Sequence, residues 1–277
     1  MTFPCSHEDI IAALETSLMS SASPKVTIID AISFIPSCKF PWQRLVELCR
    51  RHSCLSLIDA AQEIGQQEVN LKESEPDFWV SSCHKWLFSQ RGAAVMYVKK
   101  EHQHLFKSIY YEKIKSIDDH KYNDNESNFK KLHSFSGTTD TTAYISIIAA
   151  LNYRESIGGE KLINEYCRNL AIESGESLAK KFCTSVMDNK DNELTSNMVN
   201  VKLPIDMDFI PASNIPNYTL YIQNELNKGS YFYRKMSASI FYHNFSLWVR
   251  ISAQIYVSFD EIVHELGNRI LDICSKI

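Results

Sequence analysis

Apolar residues recur at helical spacing over residues 8–20, where Ile10, Ile11, Leu14, Leu18 and Met19 fall on one stripe, which predicts an amphipathic helix. Ser20-Ser21-Ala22-Ser23-Pro24 breaks the period, and Lys25–Asp30 then reads as a short buried strand. Pro41 opens a second helix through Leu45, Val46, Leu48 and Cys49 that ends near Arg51-His52. Cys54–Ile58 is an apolar strand ending on an acid, Asp59; Phe78–Ser81 is another, and Ala93–Val98 is apolar on both faces. Strands of this kind alternating with helices predict an α/β chain whose parallel or mixed sheet is covered on both sides. From Glu101 to Lys131 the composition turns polar, and a surface loop is expected. A long helix follows from about Thr142 through Glu155, punctuated by Gly158-Gly159, and a second runs through Leu162, Ile163, Tyr166, Leu170 and Leu178. Val199–Leu203 and Trp248–Ser252 read as strands, and Phe259-Asp260 starts a terminal helix. No internal repeat is visible, and a boundary near residue 160 divides the chain into 1–160 and 161–277.

Composition narrows the class. A chain of 277 residues, 44% of them hydrophobic, can bury a substantial core in two lobes. A formal charge of −4 and a pI near 6.1 show no polycationic surface, so neither nucleic acid nor anionic membrane is an expected partner. No apolar run approaches the roughly 18 to 20 residues that span a bilayer. Residues 1–9 carry the pattern of neither a secretion signal nor an Arg-rich presequence. The eight cysteines form no CxxC pair and no Cys/His cluster, so no metal is expected. They read as reduced thiols of a cytoplasmic protein, with the nucleus as a further compartment.

The chemistry centres on Lys85 in Ser82-Cys83-His84-Lys85-Trp86-Leu87-Phe88, with Leu57-Ile58-Asp59-Ala60-Ala61-Gln62 upstream. A lysine amine can hold an aldehyde as a Schiff base, and a partly desolvated carboxylate at a strand end can keep a pyridine nitrogen protonated; a pyridoxal-phosphate enzyme needs both. Taken singly, each residue admits a plainer role. Asp59 reads as a helix N-cap, Lys85 as a surface lysine, and Gln62 as an amide facing water. His84 reads as a satisfied buried histidine, or with Ser82 as a phosphate contact; Cys83 is a small packing thiol. Gly137-Thr138-Thr139-Asp140 precedes a helix, as a phosphate seat or an ordinary cap. Arg250, inside an apolar strand, requires an anionic partner: a structural carboxylate or a substrate carboxylate.

Together these residues resemble the class V aminotransferases, the pyridoxal-phosphate fold type I branch that includes cysteine desulfurases. Within it they are most similar to the isopenicillin N epimerase-like subgroup, which contains the fungal hercynylcysteine sulfoxide lyases of ergothioneine biosynthesis. Besides the motifs around Asp59 and Lys85, the resemblance rests on Phe135–Asp140, Ile157-Gly158-Gly159-Glu160 and Val249–Tyr256, in family order from about residue 10 to the end. It implies a large domain with a mostly parallel sheet over 1–160 and an α+β small domain over 161–277. It implies a homodimer that binds pyridoxal 5'-phosphate and a small amino-acid substrate. Lys85 would carry the cofactor and move the substrate α-proton, Asp59 would pair with the ring nitrogen, and Gln62 would meet the phenolic oxygen. Ser82 and His84 would touch the phosphate, Thr138 or Thr139 would reach the partner subunit's cofactor, and Arg250 would hold the α-carboxylate.

One departure is visible. Family members carry a further segment ahead of the first match, and Asp30-Ala31-Ile32-Ser33 stands where the family usually has an acid followed by histidine. The resemblance therefore implies an N-terminally truncated chain with an exposed apolar sheet face. The expected activity is carbon–sulfur cleavage of a cysteine-derived substrate. The alternatives are cysteine desulfuration, amino-acid epimerisation, or a catalytically inactive paralogue that dimerises or binds.

Overall fold

In the computed structural model, residues 2–21, 23–106, 128–133, 140–228 and 238–277 are described. The first sheet holds β1 (Val26–Asp30), β2 (Leu55–Asp59), β3 (Phe78–Ser82) and β4 (Ala94–Val98) in that order. The first three strands run parallel and β4 is antiparallel to β3. Helices α1 (His7–Ser20) and α2 (Trp42–Arg51) pack on one face. The α1 start is fixed by a capping box, in which Ser6 accepts from the Asp9 amide and Asp9 accepts back from the Ser6 amide. Of the apolar stripes, Ile10, Leu18, Trp42, Leu45, Val46, Leu48 and Cys49 are buried and Ile11 and Leu14 half-buried, whereas Met19, expected on the first stripe, faces outward at the end of α1. Burying each large side chain of this core contributes about 1.5 to 3 kcal/mol.

The opposite sheet face differs from the double coverage that the strand pattern predicts. Side chains alternate across the pleat, so Ile29, Ile58 and Trp79 point into the helix-covered core. Their neighbours Val26, Ile28, Val80 and Met96 stand on the other face and are exposed, Ile28 to 71%. Apolarity along a strand records what the strand tolerates, whereas coverage depends on which elements are present to pack there. At one end of this face Phe78 and Val98 are buried, with His102 and Phe106 against the Phe78 ring; elsewhere it stands open among the described residues, as the family resemblance implied. Most of the expected 101–131 loop, residues 107–127, lies outside the described residues.

The second sheet is antiparallel in the order β5-β7-β6, from β5 (Met198–Lys202), β6 (Ser239–His243) and β7 (Ser246–Ser252). It packs against α6 (Gly159–Phe182), α7 (Ile215–Asn227) and the terminal α8 (Gly267–Cys274), which a π-helical turn, Glu261–Leu266, precedes. The short α3 (Leu71–Ser74) and α4 (Asn128–His133) and the longer α5 (Thr142–Ser156) complete the helices among the described residues. Gly158 and Gly159, with φ of +119° and +78°, turn the chain from α5 into α6. The position chosen from sequence as a domain boundary therefore coincides with this turn. The core around α2 also takes in Met187, Leu194, Phe241 and Trp248, so the C-terminal half shares it.

No described helix is long and apolar enough to cross a membrane. No metal-competent cluster of His, Cys, Asp or Glu occurs among the described residues.

Candidate active site

Three parallel strands place their carboxyl ends side by side, and most of the chemistry singled out in the sequence collects there. Asp30 and Asp59 are register partners on the open face. The exposed Asp30 carboxyl is held above the usual carboxylate range, first by partial desolvation and then by the like charge of Asp59. Asp59 Oδ1 accepts from the Ala61 amide at 3.0 Å, and Oδ2 has no partner among the described residues. Residues 61–66 form turns, not a helix, so the N-cap role is removed and one carboxylate oxygen stays open.

The loop after β3 presents Ser82, His84 and Lys85. Cys83 is buried against Leu87 and Ala93, with burial pushing its thiol pKa up, as suits a packing residue. His84 Nδ1 lies 3.2 Å from the Ala93 carbonyl, which leaves Nε2 without a partner among the described residues. Lys85 is exposed and makes no hydrogen bond or ion pair among them. Gln62 does not face water: it is buried, and its Oε1 accepts from the Trp86 indole at 2.9 Å. That bond orients the amide so that its nitrogen is the remaining donor.

From the covered side, Glu63 anchors the Asp59–Gln62 segment. It is 1% exposed and accepts from the indoles of Trp42 at 2.5 Å and Trp79 at 3.0 Å. Burial raises its carboxyl above the usual range, against the lowering effect of the two indoles and of Lys39. The folded chain therefore keeps this proton where the unfolded chain has lost it, and stability falls as pH rises from the ordinary value of about 4.3 through the raised one. Glu63→Gln sets an amide NH₂ against an indole N–H. It is expected to cost about 1 to 3 kcal/mol at acid pH. The cost should shrink as pH rises, because the wild type then has to ionise. Urea unfolding across pH checks this, and a cost independent of pH contradicts it.

Arg250, in the middle of β7, is brought to the same edge. Its Nη1 donates to the Phe34 carbonyl at 3.1 Å, four residues beyond the end of β1, and its guanidinium carbon stacks 4.8 Å from the Phe34 ring. Burial lowers its pKa. Its Nε is enclosed without a partner, and no described carboxylate pairs with it. The structural ion pair, one of the two readings open in the sequence, is thus absent among the described residues. Thr138 and Thr139 lie outside the described residues. Asp140, one residue before the N-cap Thr141, accepts from the Thr142 amide at 2.8 Å.

The edge thus brings together Asp59, Gln62, Ser82, His84, Lys85 and Arg250. Among the described residues it offers an unpaired amine, an open carboxylate oxygen, an amide donor and a partly desolvated cation without a counter-ion. Sequence reading passed over Glu63, Gly65, Trp86 and Arg154, which hold these groups in place. The signals were faint: an acid directly after the Gln62 motif, and a lone arginine closing an apolar helix.

Residues 13–209 match the family model described as Aminotransferase class-V. The chain is 28% identical over 308 aligned positions to the L-cysteine desulfhydrase-like protein lolT1 of Epichloe uncinata, covering 99% of this chain and 67% of that protein. It is 29% identical over 230 positions to the hercynylcysteine sulfoxide lyase of Schizosaccharomyces pombe, covering 79% and 56%. The apo cysteine desulfurase of Thermococcus onnurineus NA1 superposes with a TM-score of 0.70 at 16% identity, covering 99% of this chain and 66% of that one. At that identity the likeness shows the fold, which is fold type I. The chain spans about two thirds of the length of the first of these relatives. The matched family is one of pyridoxal-phosphate enzymes.

Proposed function

We propose that this chain, which belongs to the class-V aminotransferase family, works as a pyridoxal-phosphate-dependent carbon–sulfur lyase on a cysteine-derived substrate. The observation that carries the reading is the desolvated Arg250 guanidinium, without a described counter-ion, at the same sheet edge as the unpaired Lys85. A half-buried cation of that kind is complementary to an anionic ligand, and a guanidinium fits a carboxylate in a bidentate manner. The relatives named for cysteine and cysteine-conjugate cleavage support the substrate class.

The groups present fit the cofactor. Asp59 would hold the ring nitrogen through its open oxygen, Gln62 would donate its amide to the phenolic oxygen, and Ser82 and the free His84 Nε2 would meet the phosphate. Pyridoxal phosphate, when bound, supplies an electron sink for the substrate α-carbon. Arg250 fixes the α-carboxylate, and with it the direction of the α-hydrogen. Lys85 Nζ takes that proton, acting as the general base, while the sulfur-bearing group departs from the β-carbon. Thr138 and Thr139 are proposed to complete a phosphate contact across a homodimer. Residues 1–160 and 161–277 are proposed as the large and small domains.

A desulfurase needs an accessible thiol to receive sulfur. Of the eight cysteines Cys183 is the exposed one. It caps the end of α6 opposite Glu160, roughly 35 Å along the helix axis. That separation favours a lyase that releases its sulfur product. The finer proposal is hercynylcysteine sulfoxide as substrate, a step of ergothioneine formation, in the cytoplasm. The test is pyruvate and ammonia release, with cofactor added, from hercynylcysteine sulfoxide and from cysteine. Faster release from the sulfoxide supports the finer reading, and faster release from cysteine assigns a desulfhydrase. Release from neither by a chain that binds the cofactor would point to an inactive paralogue.

A further inference from the structure

Arg154 lies on the last turns of α5, is 1% exposed, and serves the Lys85 loop rather than the α5 surface. Its Nη1 donates to the Trp86 carbonyl at 2.8 Å, on the residue that follows Lys85. Nη2 donates to the Gly65 carbonyl at 3.0 Å and to Glu160 Oε2 at 2.6 Å, and Nε donates to Glu160 Oε1. Four of the five guanidinium hydrogens are thereby used. The guanidinium carbon also sits 4.6 Å from the centre of the Phe88 ring, in a residue held at φ +74°.

Trp86 is tied twice to the segment that carries Asp59 and Gln62. Its indole bonds Gln62, and its carbonyl shares Arg154 with the carbonyl of Gly65. Gly65 has φ +87°, and a Cβ there would stand 2.5 Å from the Trp86 oxygen, so the two backbones touch directly. Both carbonyl oxygens accept from the one guanidinium, which ties the two backbones at this close approach. The Gly158-Gly159 turn brings Glu160 back to that cation.

We infer that Arg154, braced by Glu160, is a positioning residue that locks the Lys85 loop to the Asp59–Gln62 turn and so sets where the lysine amine meets the cofactor. The inference rests on the pyridoxal-phosphate reading above. Arg154→Lys keeps a charge for Glu160, but its ammonium donates from one point and lacks the planar fork that meets both carbonyls and both Glu160 oxygens at once. The condensation of Lys85 with added pyridoxal phosphate is measured by borohydride trapping and mass analysis of the Lys85 peptide. Affinity for pyridoxine phosphate, which has no aldehyde, reports the pocket without the lysine.

The variant is expected to trap Lys85 about 100-fold more slowly, the scale of a misplacement near 1 Å, with pyridoxine phosphate affinity within about twofold of wild type. Glu160→Gln, on a half-exposed partner, is expected to slow trapping in the same sense and serves if Arg154→Lys does not fold. Wild-type trapping rates in a folded variant overturn the inference. So does an equal loss of trapping and of pyridoxine phosphate affinity, which is the mark of a merely structural arginine. If the wild type itself traps no cofactor on Lys85, the pyridoxal-phosphate reading fails, and this inference with it.

Discussion

Lys85→Ala is expected to abolish the visible absorbance of lysine-bound cofactor and to lower α-proton exchange by at least about 10⁴-fold, while leaving the fold untouched. The functional loss is large because one amine is assigned two tasks, holding the cofactor and moving the proton, and general acid–base catalysis alone supplies 10² to 10⁴. The stability effect is small because Lys85 is exposed and makes no bond among the described residues. Such surface changes stay within roughly 0.5 kcal/mol. Absorbance titration with pyridoxal phosphate and a thermal melt on the same samples check both halves. A wild-type band in the variant shows that another lysine carries the cofactor, and the assignment of Lys85 falls.

Arg250→Met is expected to separate binding from stability in the opposite way to most buried substitutions. The guanidinium is desolvated with an enclosed, unpartnered Nε and no described counter-ion, so its charge is a cost in the free chain. Methionine fills a similar volume and loses one hydrogen bond, to Phe34, valued at about 1 kcal/mol. Stability should therefore stay the same or rise slightly. Affinity for an amino-acid ligand should drop by about 2 to 4 kcal/mol, on the order of 30- to 1,000-fold, because the ligand carboxylate loses its charged partner. The amide of the same amino acid serves as control: its affinity should barely change. Equal losses for acid and amide would mean that Arg250 shapes the site without reading the carboxylate. A strongly destabilised variant would mean that a counter-ion exists outside the described residues.

Much of this architecture was legible along the chain. Lys25–Asp30 and Phe78–Ser81 lie within one residue of β1 and β3, because short apolar runs bounded by polar or Pro-containing breaks leave little choice. The helical stripe at Leu45, Val46, Leu48 and Cys49 gave α2 its buried face for the same reason. β6 went unremarked, since Ser239–His243 follows no clear break and mixes exposed with buried positions. The π-helical turn at Glu261–Leu266 was also invisible: Ile262, Val263 and Leu266 face the core there as they would in an α-helix.

The candidate site divides similarly. Local chemistry nominated Asp59, Gln62, Ser82, His84, Lys85 and Arg250. The plainer role of Asp59 could be set aside only once residues 61–66 were seen to turn and not to form a helix. Gln62 was legible as an amide, but its orientation depends on an indole 24 residues away.

The sequence by itself determined the strand ends, the helix faces, the family and the chemical groups available, because these depend on residue type and spacing over a few turns. Only the tertiary structure decided which groups remain unpaired. Arg250 lacks a described carboxylate, Asp59 keeps an open oxygen, and Arg154 bridges two carbonyls 21 residues apart. Pairing is a property of space, and a carboxylate or carbonyl that satisfies a cation can come from anywhere in the chain. The same reasoning explains the uncovered sheet face, whose strands announce that they can be buried and leave it to other elements whether they are.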